Sequence, residues 1–224
     1  MDITKIKRLG HTVEDGGMLW LLSSASEVGF RVRNAERLTL KLHADDSVDD
    51  PARRNQLPRF TIRMNGKKII DARMTAARVS VTVFENREPA DAEIRLIKLS
   101  ECTQSVMALQ DILTDGTVEP LEERPLKIEF IGDSITCGYG VEGRSEAETF
   151  TTATENAEKA YAFLTAEELN ADAVMTCFSG HGIVSGYTDN PDIRNDADLV
   201  PLYYETEGRI GFPFPSYSLQ RQPV

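Results

Sequence analysis

The feature that most constrains the fold is the order strand, loop, helix, strand between residues 126 and 180. The segment LKIEFIGDS predicts a strand that runs into a turn, and ADAVMTCFSG predicts a second strand. Between them, TENAEKAYAFLTAEELNA carries apolar residues three to five positions apart, as on one face of a helix. These residues are Ala157, Ala160, Tyr161, Leu164 and Leu169. Thr152 and Glu155 have the spacing of a capping box at the start of this helix. The order is that of a βαβ unit, which predicts a parallel sheet.

The first half of the chain has a different pattern. The segments FRVRNAERLTLKLHAD and VSVTVFEN alternate apolar and polar residues with the period of two that half-buried strands show. In RFTIRMNGKKIIDAR the dipeptide Asn65–Gly66 separates two such runs, which is a strong signal for a hairpin. The pattern predicts an antiparallel β-sandwich of jelly-roll type over residues 1–115.

A stretch rich in Asp, Gly, Glu and Pro, LTDGTVEPLEERP, separates the two patterns. Such a composition is typical of a connection without regular structure. We therefore predict two domains: the jelly roll over residues 1–115 and an α/β domain over residues 126–224, joined by a linker over residues 116–125. The predicted fold class is α/β with an all-β N-terminal part.

Composition excludes some classes of partner. The chain has 224 residues and a formal net charge of −11, which argues against binding to nucleic acid or to an anionic membrane. The first twenty residues contain no apolar run after their basic residues, so we expect no signal peptide and a cytoplasmic location. The cysteines Cys102, Cys137 and Cys177 are odd in number and widely spaced, which predicts buried reduced thiols and neither disulfides nor a metal site.

Ser134 is the first candidate for chemistry. It follows the predicted strand directly, and open parallel sheets bind ligands at the carboxyl ends of their strands. Gly132 allows a tight turn there, and the following loop can direct backbone N–H groups at a developing oxyanion. The alternative is that Gly-Asp-Ser forms an ordinary polar turn without catalytic function.

The longer string IGDSITCGYG resembles the first conserved block of the SGNH (GDSL-type) hydrolases, with Ile135 in place of Leu. The segment ENAEKAYAFLTAEELNADAVMTCFSGHGI is similar to the helix and second block of that superfamily, and especially to carbohydrate esterase family two. In that branch a jelly roll precedes the SGNH domain, as predicted here. The resemblance implies that Ser134 is a nucleophile and that the N–H groups of Ser134 and Gly180 form two arms of an oxyanion hole.

The same resemblance implies the reaction. It is the removal of acetyl groups from sugars or oligosaccharides through an acyl-enzyme, with an acetylated carbohydrate as substrate and no metal or organic cofactor. Two further blocks of the family are missing: Gly-x-Asn-Asp, which carries an Asn of the oxyanion hole, and a C-terminal His that acts as base. The chain is therefore expected to stop just before the first of them.

Three histidines remain as candidates for a base. His11 and His43 lie among polar residues and are interpreted as solvated surface residues. His181 follows Gly180 directly and lines the pocket in the family, and it is the one candidate for a substitute base. A serine hydroxyl without a base is a weak nucleophile, so we expect the chain by itself to act far below a complete triad.

Two other segments have open interpretations. The loop HADDSVDD contains four aspartates but lacks the EF-hand spacing, so a solvated acidic loop is favoured over a calcium site. The segment YYETEGRIGFPFPSY contains aromatic residues that either stack on sugar rings or cover the core. They are Tyr203, Tyr204, Phe212, Phe214 and Tyr217.

Alternatives to an active deacetylase come from three classes. One is a non-catalytic carbohydrate-binding protein, and another is a fragment completed by a second chain. The third is an SGNH thioesterase or lipase, against which the lack of an evident apolar binding stripe argues. A sheet that stops at two parallel strands leaves an open edge, which predicts self-association.

Overall fold

The computed structural model of this chain describes residues 2–204. The strands are β1 Lys7–Leu9, β2 Thr12–Asp15, β3 Met18–Leu21, β4 Glu27–Ala44, β5 Arg59–Met64, β6 Lys67–Arg73, β7 Arg78–Lys98, β8 Met107–Thr114, β9 Thr117–Pro120, β10 Leu126–Gly132 and β11 Ala171–Cys177. The α-helices are α1 Ser134–Cys137, α2 Tyr161–Glu168 and α3 Val200–Tyr203. Short 3₁₀ helices cover Ile3–Lys5, Asp46–Val48, Pro51–Arg53 and Ala157–Lys159. No helix within residues 2–204 is both long and apolar enough to cross a membrane.

The first nine strands form one antiparallel sheet, as the alternating pattern predicts. Its strand order is β2-β3-β8-β4-β7-β5-β6, and both β1 and β9 pair with β4. The strands β4 and β7 are very long, with 18 and 21 residues, and their register shifts between Val32 and Ala35 and again between Leu38 and Thr39. Such bulges bend a strand and increase its twist, so the sheet curls around its own apolar side chains.

A large apolar cluster fills the inside of the curled sheet. Phe30, Leu40, Ile62, Ile94 and Leu109 from four different strands are all buried in it. The hairpin predicted at Asn65–Gly66 is confirmed, because β5 ends at Met64, β6 begins at Lys67, and both turn residues have positive φ. Alternation of apolar and polar residues therefore predicts these antiparallel strands correctly.

The stretch predicted to be a linker contains a strand. This strand is β9, Thr117–Pro120. It pairs antiparallel with β4, with Val118 opposite Val32 and Pro120 opposite Phe30. The prediction that residues 116–125 lack regular structure is wrong for these four residues, because Pro and charged residues are compatible with a short edge strand. The division of the chain into two domains stays a prediction.

The parallel pairing predicted for the second half is confirmed. The strands β10 and β11 run parallel, with Leu126 opposite Ala171 and Gly132 opposite Cys177, and α2 lies between them in the chain. A second apolar cluster joins this unit to the end of β7. It contains Leu99, Cys137, Ala157, Phe163, Met175 and Cys177.

The predicted helix is shorter than expected, and its capping box is wrong. A 3₁₀ turn at Ala157–Lys159 precedes α2, and the side chains of Thr152 and Glu155 reach across to the antiparallel sheet and its loops. Of the five residues predicted to be buried on one stripe, Tyr161, Leu164 and Leu169 are exposed. Burial comes from Ala162, Phe163 and Ala166 because the helix begins later than predicted and presents a different face to β11.

Candidate functional site

Ser134 lies where β10 gives way to α1. The Asp133 carboxylate caps this short helix by accepting from the Ile135 N–H at 3.0 Å, and the Asp133 carbonyl accepts from the Cys137 N–H at 3.0 Å. An added Cβ at Gly132 would lie 2.0 Å from the Thr136 hydroxyl oxygen, so the close approach of α1 to the strand end requires glycine. The Ser134 side chain is half-buried, and its hydroxyl has no hydrogen bond to another described residue.

Gly180 lies at the same edge of the parallel sheet. The Phe178 N–H donates to the Gly132 carbonyl at 3.3 Å, which continues the pairing with β10 one residue beyond the end of β11. Gly180 is exposed and has a φ of 77°, a backbone conformation that favours glycine. Within residues 2–204 neither the Ser134 N–H nor the Gly180 N–H donates to a protein acceptor. Both donors are therefore available to a ligand.

His181 makes its contacts away from Ser134. Its Nδ1 lies 2.9 Å from the Ser179 carbonyl, and its Nε2 lies 3.9 Å from Asp198 Oδ1. The ring packs edge-on against Tyr203, with centroids 4.7 Å apart. The structure thus brings Ser134 and Gly180 to one edge, but it gives no hydrogen bond between His181 and Ser134 in the described part of the chain.

The prediction that the other two histidines are solvated is wrong for His11 and only partly right for His43. His11 is only 1% exposed, and its Nε2 lies 3.0 Å from the Thr176 hydroxyl in β11. His43 is half-buried, with its ring edge-on to Trp20 at 5.8 Å between centroids. Tertiary packing of the N-terminal strands against later parts of the chain causes this burial, and local sequence polarity does not reveal it.

The acidic loop is only partly solvated. Asp45 is buried and caps a 3₁₀ helix through the Ser47 N–H, whereas Asp46, Asp49 and Asp50 are exposed. Among residues 2–204 no group of three or more His, Cys, Asp or Glu side chains is placed to hold a metal ion. A metal site is therefore not among the features that the described residues offer.

The aromatic segment near residue 204 is described only in part. Tyr203 is buried against Phe178 and His181, so it covers the core, and the Tyr204 hydroxyl donates to Glu129 Oε2 at 2.8 Å. Phe212, Phe214 and Tyr217 lie outside the described residues.

All three cysteines are buried free thiols, as predicted. Cys137 lies in α1 and Cys177 ends β11, so both thiols are directly beneath the candidate site. Burial raises the pKa of the Cys137 thiol well above its usual range, and the neighbouring Cys177 adds to the rise. The Cys137 thiol therefore acts as a small core group and not as a nucleophile.

Two features of the site were missed by the sequence analysis. Tyr187 is 70% exposed, and its N–H donates to the Gly180 carbonyl at 2.6 Å, so an exposed ring lies beside the candidate oxyanion donor. The carboxyl of Glu101 is fully buried next to α1 and the Ser179 loop. Glu101 lies three residues after β7 ends at Lys98, and an acidic residue so close to the end of a strand is the local signal for it.

Sequence comparison relates the chain to carbohydrate esterases. No protein-family model matches it. It is 51% identical over 73 residues to the cellulase/esterase CelE of Acetivibrio thermocellus, which covers 33% of this chain and 9% of that protein. It is 35% identical over 125 residues to an acetylxylan esterase / glucomannan deacetylase of Cellvibrio japonicus, which covers 53% of this chain and 33% of that protein.

Structure comparison finds a similar fold in the same group of proteins. A family two carbohydrate esterase from Cellvibrio japonicus superposes with a TM-score of 0.79 at 22% identity, covering 97% of this chain and 62% of that one. A family two carbohydrate esterase from Clostridium thermocellum in complex with cellohexaose gives 0.76 at 24% identity, covering 91% and 58%. The chain spans less than two fifths of the curated relatives and about three fifths of these solved chains.

Proposed function

Since this chain resembles the family two carbohydrate esterases in sequence and in fold, we propose that it is a serine ester hydrolase of that kind, acting on acetylated carbohydrate. The observation that carries the proposal is the shared edge of β10 and β11. There the half-buried Ser134 hydroxyl and the unpaired N–H groups of Ser134 and Gly180 follow the ends of two paired strands. In an open parallel sheet this edge is where ligands bind.

The proposed chemistry is acyl transfer to Ser134. The Ser134 oxygen attacks the acetyl carbonyl carbon, and the carbonyl oxygen becomes an oxyanion that accepts from the N–H groups of Ser134 and Gly180. The ester C–O bond then breaks, the sugar hydroxyl leaves with a proton, and water hydrolyses the acyl-enzyme to acetate. One such oxyanion donor is worth about 3–4 kcal/mol in the transition state.

The proton of the Ser134 hydroxyl requires a base, and no described histidine forms a hydrogen bond with this hydroxyl. Of the three histidines, His181 is the candidate for this base, because it directly follows Gly180 in the chain. A fluorophosphonate probe therefore tests both the nucleophile and the base.

A carbohydrate substrate is proposed on two grounds. One relative of this fold is described in complex with cellohexaose, and Tyr187 presents an exposed ring beside Gly180. We further assign the antiparallel sheet to a jelly roll and the unit from β10 to β11 to an SGNH-type α/β/α domain, with the boundary in the connection between β9 and β10. We also propose that the chain is located in the cytoplasm and that it associates with further copies of itself.

The decisive experiment measures intact mass after exposure of the full chain to a fluorophosphonate, followed by peptide mapping. A single adduct on Ser134 that is lost in Ser134→Ala supports the proposal. Loss of the adduct in His181→Ala, but not in the control His43→Ala, would identify His181 as the base. An unlabelled chain argues against the nucleophile.

The second candidate function is carbohydrate binding without turnover. It is favoured by the absence of any hydrogen bond to the Ser134 hydroxyl among residues 2–204. Calorimetric titration with cellohexaose separates the two functions: binding that persists in Ser134→Ala, in a chain that takes no label, identifies a binding protein.

A further inference from the structure

The buried carboxylate of Glu101 connects the antiparallel sheet to both parts of the candidate site. Glu101 follows the end of β7 and is fully buried. Its Oε2 accepts from the Ser179 N–H at 2.8 Å and from the Cys137 thiol at 3.7 Å. One oxygen thus holds the loop that presents Gly180 and also contacts the helix that begins at Ser134.

We propose that Glu101 is a positioning residue that sets the direction of the Gly180 N–H relative to Ser134. The inference rests on the proposed function of that site. The Ser179 N–H lies one peptide unit before the Gly180 N–H, so fixing the first restricts the orientation of the second. Glu101 touches neither substrate nor the reacting atoms, and it acts through the Ser179 loop and Cys137.

The cost of burying this group argues for a functional role. Glu101 Oε1 is buried without a hydrogen-bond partner among residues 2–204. A buried polar atom without a partner destabilises a fold. Such an atom beside a candidate site is the kind of local conflict that stability alone does not explain.

The two carboxyls differ in the groups that they contact. Glu155 Oε1 accepts from the Glu101 N–H at 3.0 Å. Burial, and then the neighbouring Glu101 carboxyl, raise the pKa of Glu155 well above its usual range. Of the two residues, Glu101 is the one whose carboxyl accepts from the Ser179 N–H.

Other charged groups face this pair from the surrounding elements. The Lys98 ammonium donates to the Ser100 carbonyl, and burial lowers the pKa of Lys98. Arg59 donates to the Glu155 carbonyl at 2.9 Å, and Asp45 and the thiols Cys102 and Cys137 complete the set. None of these groups takes the place of Glu101 as acceptor for the Ser179 N–H.

The difference in hydrogen-bond partners provides a matched pair of variants. Glutamine has nearly the same shape as glutamate, so Glu155→Gln keeps the size of the side chain and an oxygen acceptor for the Glu101 N–H. Glu101→Gln puts an amide where the carboxyl accepts from the Ser179 N–H and from the Cys137 thiol, which weakens the hold on the Ser179 loop. NMR on the full chain measures the rate of amide hydrogen exchange at Ser179. We expect this rate to rise at least about tenfold in Glu101→Gln and to stay within about twofold of the parental rate in Glu155→Gln.

The catalytic part is tested by the rate of fluorophosphonate labelling of Ser134. The transition state of labelling places an oxygen where the Ser134 and Gly180 N–H groups point. We therefore expect the labelling rate to fall about tenfold in Glu101→Gln and to remain at the parental value in Glu155→Gln. Exchange of core amides in β4 must be the same in both variants, which shows that the fold is kept. If Glu101→Gln does not fold, Glu101→Asp takes its place with the same expected changes, because its shorter side chain withdraws the carboxyl from the Ser179 N–H.

The outcomes separate this inference from the proposed function. A parent chain that labels at Ser134, with unchanged labelling and unchanged Ser179 exchange in Glu101→Gln, overturns the role of Glu101 and leaves the esterase proposal standing. A parent chain that never labels overturns the esterase proposal and the catalytic part of this inference together. Ser179 exchange still decides in that case whether Glu101 holds the loop.

Discussion

At the scale of single residues, Tyr187 is the side chain best placed to meet a sugar. Its ring is exposed, its N–H donates to the Gly180 carbonyl at 2.6 Å, and its hydroxyl donates to Asp189 Oδ1 at 2.6 Å. Both ends of the residue are therefore held while its faces remain open to solvent. Aromatic rings held in this way are suited to stacking on the apolar faces of sugars.

Replacing Tyr187 by Ala is expected to raise the Kd for cellohexaose about fivefold, because loss of a stacked ring costs about 1 kcal/mol. Tyr187→Phe is the matched control, since it keeps the ring and removes only the hydroxyl. Isothermal titration calorimetry on the full chain measures both. Equal weakening in the two variants would assign the contact to the hydroxyl, and unchanged binding in both would remove Tyr187 from the binding surface.

Local motifs predicted which residues reach the shared edge, but not their surroundings. Ser134 and Gly180 follow directly from glycine and serine at the ends of apolar runs, and the structure places both at one edge. The burial of His11 and Glu101 depends on partners 165 and 36 or more positions away in the chain. No periodicity contains that information, because it arises only when the sheet and the βαβ unit pack together.

At the scale of elements, the two parallel strands differ in their exposure. All seven residues of β11 are buried, whereas β10 has no buried residue and exposes Leu126 and Ile131. Within residues 2–204, β10 pairs only with β11. An edge strand with exposed apolar side chains is a template for pairing with another chain.

We expect the chain to self-associate through β10 in a concentration-dependent way, and Ile131→Lys to shift it toward the monomer because a charge on an edge strand opposes pairing. Leu164→Lys is the control, since Leu164 is an exposed apolar residue on the helix α2 and not on a strand edge. Sedimentation velocity over a hundredfold range of concentration reports the change. A parent chain that stays monomeric throughout this range would contradict the prediction.

Elements were predictable where the signal is local. The hairpin at Asn65–Gly66 and the parallel pairing of β10 with β11 follow from turn chemistry and chain order. The linker and capping-box predictions failed for a common reason. Thr117–Pro120 and Glu155 have partners in or next to the antiparallel sheet, and those tertiary contacts override the local preferences of their sequence.

At the scale of the whole molecule, Arg59 joins the antiparallel sheet to the loops that follow α1. From β5 its guanidinium donates to Asp71 Oδ1 at 2.9 Å and to Glu142 Oε2 at 2.5 Å. It also donates to the carbonyls of Ala153 and Glu155, each at 2.9 Å. Ion pairs that are only partly exposed, as here, persist at salt concentrations that screen surface pairs.

Glu142 gives this connection a measurable dependence on pH. Burial acts to raise the pKa of Glu142, but hydrogen bonds from Lys159 and Arg59 outweigh it and lower the pKa from 4.5 to about 2. A lowered pKa in the folded state means that the ionised carboxylate stabilises the fold above pH 4.5. That contribution is lost as the pH falls from 4.5 to about 2.

Replacing Glu142 by Gln is expected to lower the free energy of unfolding by about 1–2 kcal/mol at pH 7. The full shift in pKa would correspond to about 3 kcal/mol, and solvent access to the ion pair reduces it. The difference between parent and variant should shrink steadily as the pH falls from 4.5 toward 2, because protonation removes the same charge from the parent. Urea unfolding at pH 7, 4.5 and 3 measures it, with Glu146→Gln, an exposed residue of the same loop, as control. A difference that stays constant across this range would show that Glu142 acts through packing and hydrogen bonding, and that its charge does not hold the loop to the sheet.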